Sequence, residues 1–141
     1  MAIYIVDASV VIEYLVTGPY TPNARALFTQ VTPNDRFVVP EFCLLECTNV
    51  IWKQVRFNGM PLTQAQALLR NLKKLPLTRV PVKAALNTAL TIGVAHQLAI
   101  YDSAYIALAK RSNNSLISID QPQIRAATAE RVSLVPITNF T

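Results

Sequence analysis

Short apolar runs alternate with longer amphipathic stretches along this chain, and two of the runs end in an aspartate. Residues 3–6 lead into Asp7, and residues 116–119 lead into Asp120. A short apolar run of this kind is typical of a buried parallel strand. Because the carboxyl ends of parallel strands meet at one edge of a sheet, we expect these two carboxylates to lie close together.

The complete pattern predicts strands that alternate with helices. The predicted strands are 2–6, 37–39, 77–80 and 116–119, with 132–135 as a candidate edge strand, and the predicted helices are 10–15, 22–30, 41–55, 63–74, 83–95, 102–111 and 122–128. Pro22 and Thr63 mark predicted helix starts, and Asn58-Gly59 marks a predicted stop. This alternation favours an α/β fold, a three-layer αβα sandwich around a mostly parallel sheet of four to five strands.

Composition adds size, surface character and charge to this picture. At 141 residues the chain is interpreted as one domain spanning 1–141. Hydrophobic residues make up 52% and charged residues 15%, which favours a homodimer or a permanent protein partner. The net charge of +5 is typical of proteins that meet phosphate backbones. No segment reaches the roughly 20 apolar residues of a membrane span, so we expect a soluble protein without a membrane partner.

The two cysteines and the single histidine limit which metal sites and which catalytic mechanisms the chain can have. Cys43 and Cys47 are four residues apart, so on a helix they share one face and are expected to pack as small hydrophobes. Free cysteines favour a reducing, cytoplasmic setting. His96 is the only histidine and is interpreted as a helix-end residue. A zinc site of the Cys/His type is therefore not expected, and RNA cleavage by two imidazoles is excluded.

Four acidic residues each have an ordinary structural explanation when taken alone. Asp7 and Asp102 stand at predicted helix starts and could act as caps, and Asp120 could be a turn residue. Glu46 is harder to explain in this way, because it interrupts the apolar stretch 42–52. A buried carboxylate is costly unless it meets a cation or a hydrogen-bond donor, so we expect a positive group beside it.

A single site explains all four acids at once. Two would lie at strand ends, one at a helix start and one on a buried helix face. Clustered carboxylates repel one another, and a bound divalent cation removes that conflict. Oxygen ligands without histidine or cysteine select hard ions, so the sequence predicts Mg²⁺ or Mn²⁺ as cofactor.

Four stretches of the sequence carry a family resemblance. They are IVDASVVIEYL at the start, VPEFCLLECTNVIWK in the middle, AIYDSAYIALAKRSNNSLISID toward the end, and IRAA after it. In this order the chain resembles the PIN domain family, and in size and layout the VapC toxins of bacterial and archaeal toxin-antitoxin pairs. The third stretch is the most specific of the four.

The resemblance implies a PIN-like fold and a function. Members of this kind are metal-dependent ribonucleases, usually dimeric, that a cognate antitoxin inhibits. The metal-binding and catalytic acids would be Asp7, Glu46, Asp102 and Asp120, with Ser9, Ser118 and Asn49 at supporting positions. The sequence departs from the family after the last acid, where Gln121-Pro122-Gln123 replaces a residue that is often charged.

Other functions remain as alternatives. A PIN-like domain without catalysis would serve as an RNA-binding or protein-binding module. A phosphotransfer receiver needs two adjacent acids after the first strand, and Ala8 follows Asp7 here, so that alternative is set aside. RNA contacts would come from basic side chains, with Lys53, Arg56, Lys73 and Lys74 as the main candidates and Arg70, Arg79 and Lys83 as further ones.

Overall fold

A computed structural model describes residues 2–30 and 32–141 of the chain. The strands are β1 (Ile3–Val6), β2 (Arg36–Pro40), β3 (Leu77–Val80) and β4 (Ser115–Ile117). The helices are α1 (Ala8–Leu15), α2 (Thr21–Thr29), α3 (Cys43–Asn58), α4 (Leu62–Lys74), α5 (Leu86–His96), α6 (Ile100–Ser112) and α7 (Gln121–Ala129). Two short 3₁₀ turns, Lys83–Ala85 and Ile137–Asn139, complete the described elements.

The strands form one parallel sheet in the order β3-β2-β1-β4. Helices flank this four-stranded sheet, so the predicted α/β sandwich with a parallel sheet is confirmed. The chain builds outward from β1 through β2 to β3 and then returns to the other side of β1 for β4. The strand order therefore reverses between β1 and β4, and parallel sheets open their ligand crevices at such a switch point.

Burial shows that both faces of the sheet centre are covered. Ile5 and Val6 are neighbours in β1 and point to opposite faces, yet they are 1% and 0% exposed. Leu116 and Ile117 repeat this arrangement in β4. Helix α6 packs against β1, β2 and β4, which explains why its sequence is apolar on nearly all sides. Helix α6, the central strand β1 and its neighbour β4 thus fix the sheet edge that Asp7 follows.

The predicted end of β4 is wrong because side chains, rather than a strand, take its backbone donors. The sequence predicted a strand over 116–119, but β4 ends at Ile117. The Ile119 N–H donates to the Ser9 hydroxyl at 3.0 Å, and the Asp120 N–H donates to the Ser118 hydroxyl at 3.1 Å. The candidate edge strand 132–135 is only an isolated parallel bridge between Leu116 and Leu134, in which the Leu116 N–H donates to the Ser133 carbonyl at 2.9 Å and the Val135 N–H donates to the Leu116 carbonyl at 3.1 Å.

Several helix ends differ from the predictions. Helix α1 begins two residues earlier than predicted, at Ala8, and α6 begins at Ile100, so Asp102 lies within its first turn. Thr63 is not a cap, because Pro61 holds that position in α4. Helix α3 continues to Asn58, and Gly59 ends it in the left-handed conformation (φ 72°), as the predicted stop required. The predicted helix 83–95 begins as a 3₁₀ turn, and the α-helical part is Leu86–His96.

The cysteines and the histidine lie as predicted. Cys43 and Cys47 are both fully buried on one face of α3, as free thiols with 4.0 Å between their sulfur atoms. His96 ends α5, and its Nε2 lies 2.7 Å from Oε2 of Glu130. No helix in the described part of the chain is both long and apolar enough to cross a membrane.

Candidate functional site

Asp7 stands at the end of β1 and makes contacts across the sheet edge. Its backbone N–H donates to the carbonyl of Ile117 at 2.9 Å, which holds it beside β4. Asp7 holds the N-cap position of α1, but its buried side chain makes no capping hydrogen bond. Instead, Oδ2 of Asp7 accepts hydrogen bonds from the hydroxyls of Ser9 and Ser118, each at 2.8 Å.

Ser9 and Ser118 join two segments that are distant in sequence. Each hydroxyl has one proton, and each donates it to Asp7. Their oxygens then accept backbone N–H groups from Ile119 and Asp120. This hydrogen-bond network ties the start of α1 to the segment between β4 and α7, and it fixes the orientation of the Asp7 carboxylate.

Glu46 lies on α3 and meets a neutral donor. The hydroxyl of Tyr105, a fully buried residue of α6, donates to Oε1 of Glu46 at 2.8 Å. Among the described residues no lysine or arginine pairs with Glu46, so the positive group expected beside it is not a side chain of this part of the chain. Tyr105 was missed as a partner of Glu46 in the sequence analysis, although it lies in the most specific of the four stretches, three residues after Asp102.

Asp102 and Asp120 come from the first turns of two neighbouring helices. Asp102 is partly buried in the first turn of α6. Asp120 is exposed and caps α7, because its Oδ2 accepts the N–H of Gln123 at 3.1 Å. The side-chain nitrogen of Gln123 donates to the carbonyl of Asp102 at 2.7 Å. The sequence reasoning missed Gln123, which shares the buried stripe of α7 with Ala126 and Ala127.

The four acids influence one another electrostatically. Burial raises the pKa of Asp7 to about 6, the two serine hydroxyls oppose this, and the charges of Asp102 and Asp120 add to it. Burial also raises the pKa of Glu46 to about 7, with further contributions from Asp7 and Asp102. The pKa of Asp102 is raised by burial and by the charge of Asp120. These charge interactions link Asp7, Glu46, Asp102 and Asp120 into one acidic neighbourhood.

The donor atoms of this neighbourhood suit a hard divalent cation. They are carboxylate oxygens. The pKa values of Asp7 and Glu46 are raised, and a bound positive ion would lower them again. Within residues 2–30 and 32–141, however, no three acidic, cysteine or histidine side chains lie close enough to hold one ion together. A cation here would be bound by fewer side chains at once and would keep water ligands, as Mg²⁺ commonly does.

A groove of about 600 Å³ runs beside Glu46 between α3 and α6. Its lining residues are Phe42, Leu45, Glu46, Asn49, Val50, Lys53 and Tyr101. Asn49 and Lys53, both singled out from the sequence, therefore share a groove with one of the acids. The ring of Tyr101 is 63% exposed and packs edge-on against Phe42, with 5.2 Å between the ring centres.

The other basic candidates do not line this groove. Arg56 lies over the ring of Phe57, 5.2 Å from its centre. Lys73 and Arg79 line a separate hollow of about 200 Å³. Lys74 is exposed at the end of α4. Lys53 alone among the four main candidates is thus placed on a groove with an acid of the site.

The parallel sheet and its flanking helices define an α/β domain, and a family model identifies it. The PIN domain model matches residues 4–129, so the chain belongs to the PIN domain family. No curated protein matches the chain.

Solved structures share the fold at low sequence identity. PAE2754 from Pyrobaculum aerophilum is 18% identical with a TM-score of 0.71, covering 99% of this chain and 94% of that one. VapBC2 from Rickettsia felis, bound to a DNA fragment from its promoter, is 15% identical with a TM-score of 0.68, covering 95% and 98%. FitAcB from Neisseria gonorrhoeae is 15% identical with a TM-score of 0.63, covering 98% and 99%.

Proposed function

We propose that this PIN domain is a Mg²⁺- or Mn²⁺-dependent endoribonuclease of the VapC type, which hydrolyses RNA phosphodiester bonds. The proposal is supported by the positions of Asp7 at the end of β1 and Asp120 shortly after β4, on either side of the switch point, and by the raised pKa values of Asp7 and Glu46. Asp7, Glu46, Asp102 and Asp120 would hold the cation and act as the catalytic acids. When bound, the cation would offset the charge of the carboxylates and of the scissile phosphate and make a water molecule more acidic.

The chain's own residues set the conditions for this chemistry. A phosphodiester is an anion, so the acidic edge admits it only if the carboxylates are first neutralised. Ser9 and Ser118 keep Oδ2 of Asp7 in place through two hydrogen bonds. His96 is engaged with Glu130 at 2.7 Å, which leaves acid-base work to carboxylates and water. These contacts support hydrolysis by water over attack by a 2′-hydroxyl.

RNA would reach the site along the groove beside Glu46. Lys53 supplies a positive charge in this groove, and Asn49 supplies an amide for hydrogen bonding. The exposed ring of Tyr101 offers a flat surface next to Asp102. Arg56, Lys73 and Lys74 would contribute to RNA affinity through long-range attraction rather than at the site.

The proposal is tested by incubating the purified chain with transfer and ribosomal RNA in Mg²⁺, in Mn²⁺ and in chelator. We expect cleavage with either ion and none in chelator. Asp102→Asn should abolish cleavage. Glu130→Gln is the matched control, because it removes a carboxylate at the opposite end of α7. Equal cleavage by the wild type and Asp102→Asn would refute the assignment.

A PIN-like module that binds RNA or protein without catalysis is the second candidate. It is favoured by the absence, in the described residues, of three ligating side chains around one point. Calorimetric titration with Mn²⁺ separates the two candidates. A catalytic site should bind Mn²⁺ and lose that binding in Asp7→Asn, whereas an inactive module should show no binding at the acids.

We also propose a homodimer that a cognate antitoxin binds in the cytoplasm. Leu86, Leu90 and Val94 are four residues apart on α5, and they are 48%, 55% and 73% exposed. Such an apolar stripe fits contact with a second copy. Leu90→Lys should shift the protein toward monomer in light scattering, whereas Ala95→Lys, at an exposed position on another face of α5, should not. An unchanged mass for Leu90→Lys would exclude this interface.

The antitoxin would cover a different apolar surface. Leu45, Trp52, Phe57 and Leu62 are exposed along α3 and the start of α4. A partner helix laid across such side chains is a common recognition mode. The similar structures VapBC2 and FitAcB are consistent with an antitoxin partner here. Free thiols at Cys43 and Cys47 agree with a reducing cytoplasm.

A further inference from the structure

Gln123 is a buried polar residue that no part of the proposed chemistry has used so far. It lies in the first turn of α7 and is only 1% exposed. Its backbone N–H donates to the Asp120 carboxylate at 3.1 Å. Its side-chain Nε2 donates to the backbone carbonyl of Asp102 at 2.7 Å. One residue therefore contacts two of the four acids.

The side chain of Gln123 carries an energetic cost. Its Oε1 is buried and has no hydrogen-bond partner among the described residues. A buried acceptor without a partner destabilises a fold, and an apolar side chain of similar size would avoid this cost. Its neighbours on the buried stripe of α7 are Ala126 and Ala127, so the position faces an apolar layer. Stability alone therefore does not explain a glutamine at this position, and local rules of this kind are most often broken at functional sites.

The geometry points to a positioning role. We propose that Gln123 sets the separation of the Asp102 and Asp120 side chains for cation binding, by joining the first turn of α6 to the first turn of α7. This inference rests on the proposed function. Asp102 belongs to α6, which is packed against the sheet, whereas Asp120 begins α7 after an irregular segment. Without the Nε2 contact, only packing would hold these two helix starts together at this point.

This role requires both the length of the Gln123 side chain and its N–H donor. Leucine and methionine have similar volume but cannot donate to the Asp102 carbonyl. Asparagine keeps the amide but is one methylene shorter.

The test compares Mn²⁺ binding and stability in the full chain. Calorimetry gives the Mn²⁺ Kd, and thermal unfolding in chelator gives the stability of the metal-free protein. For Gln123→Met we expect the Kd to weaken by about tenfold or more, in the range found when residues that orient metal ligands are removed. Gln121→Met, an exposed glutamine in the same turn, is the matched control and should leave the Kd unchanged.

The possible outcomes are separable. If Gln123→Met changes the unfolding temperature but not the Kd, the role is only structural and the inference is wrong. If the wild type itself binds no Mn²⁺, the proposed function fails and this inference falls with it. Gln123→Leu removes the same donor with a different shape, so it decides the question if the methionine variant does not fold.

Discussion

Replacing Asp7 by asparagine should stabilise the metal-free protein at neutral pH, although it should abolish metal binding. Asp7 is 4% exposed, and its burial raises its pKa to about 6 from an ordinary value of 3.8. An acid whose pKa is higher in the folded state than in the unfolded state destabilises the fold once it is ionised. The ionised Asp7 carboxylate would therefore favour cation binding but destabilises the fold when no cation is bound.

The magnitude follows from the size of this change in pKa. A rise of about 2 corresponds to roughly 3 kcal/mol of lost stability at neutral pH. Asparagine removes the charge, and its carbonyl oxygen can still accept from Ser9 and Ser118. Its new NH₂ group is buried and lowers the gain by about 1–2 kcal/mol. A net gain of about 1–2 kcal/mol should raise the unfolding temperature by about 5 °C in a chain of this size.

The assay is thermal unfolding in chelator at several pH values, repeated with Mn²⁺. In chelator the wild type should lose stability as pH rises from about 4 to 6, because Asp7 ionises from about pH 4 in the unfolded chain but only near pH 6 in the folded protein, and Glu46 should extend the loss to about pH 7. Asp7→Asn should show a smaller loss. Mn²⁺ should stabilise the wild type by about 3 kcal/mol at a hundredfold excess over Kd, and should leave the variant unchanged.

A control acid should behave in the opposite way. Lys110 and His96 hold the pKa of Glu130 below its ordinary value, so its ionised form stabilises the fold. Glu130→Gln should therefore not raise the unfolding temperature. If Asp7→Asn lowers the stability of the metal-free protein at pH 7.5, or if the wild type is as stable at pH 7.5 as at pH 5, the electrostatic reasoning is refuted.

Three further predictions test other parts of the structure. Tyr105→Phe removes the hydroxyl that donates to Glu46, so the pH at which Mn²⁺ binding is half lost should rise by roughly one unit in calorimetry. Lys53→Glu should weaken RNA binding by about tenfold in a filter assay at low salt, and Lys74→Glu, away from the groove, should weaken it less. Gly93→Ala should lower the free energy of unfolding in urea by about 1–2 kcal/mol, because the added carbon would lie 2.8 Å from Ile100 and 3.0 Å from the Leu98 carbonyl, which outweighs the gain in helix propensity. If Gly93→Ala were as stable as the wild type, this would contradict the close packing of α5 on α6.

The buried runs and the helix-breaking residues could be predicted from the sequence, because both depend on residues that are close together along the chain. Strand β3 occupies the predicted residues, and Gly59 ends α3 where the breaker indicated. The α/β class followed from the alternation of runs. The interpretation of 1–141 as a single domain stays a prediction.

Contacts between distant segments could not be read from the sequence. β4 is shorter than predicted because Ser9, more than a hundred residues away, accepts the N–H of Ile119. Asp7 looked like a helix cap, yet its carboxylate is held by Ser9 and Ser118. The partner of Glu46 is Tyr105, from a helix distant in sequence. In each case tertiary contacts override a local rule that was reasonable by itself.

In the metal-free site Asp7 is held in place more firmly than Asp120, and this difference bears on how a cation would bind. Asp7 is buried and held by two hydroxyls, so it has little freedom to move toward an ion. Asp120 is exposed and uses one oxygen as a helix cap. Since no three ligating groups converge in the described residues, binding must either recruit water or move Asp120. Movement of Asp120 would break its contact with the N–H of Gln123, so Mn²⁺ should reduce the hydrogen-exchange protection of that amide if the cap opens. Unchanged protection would favour binding through water.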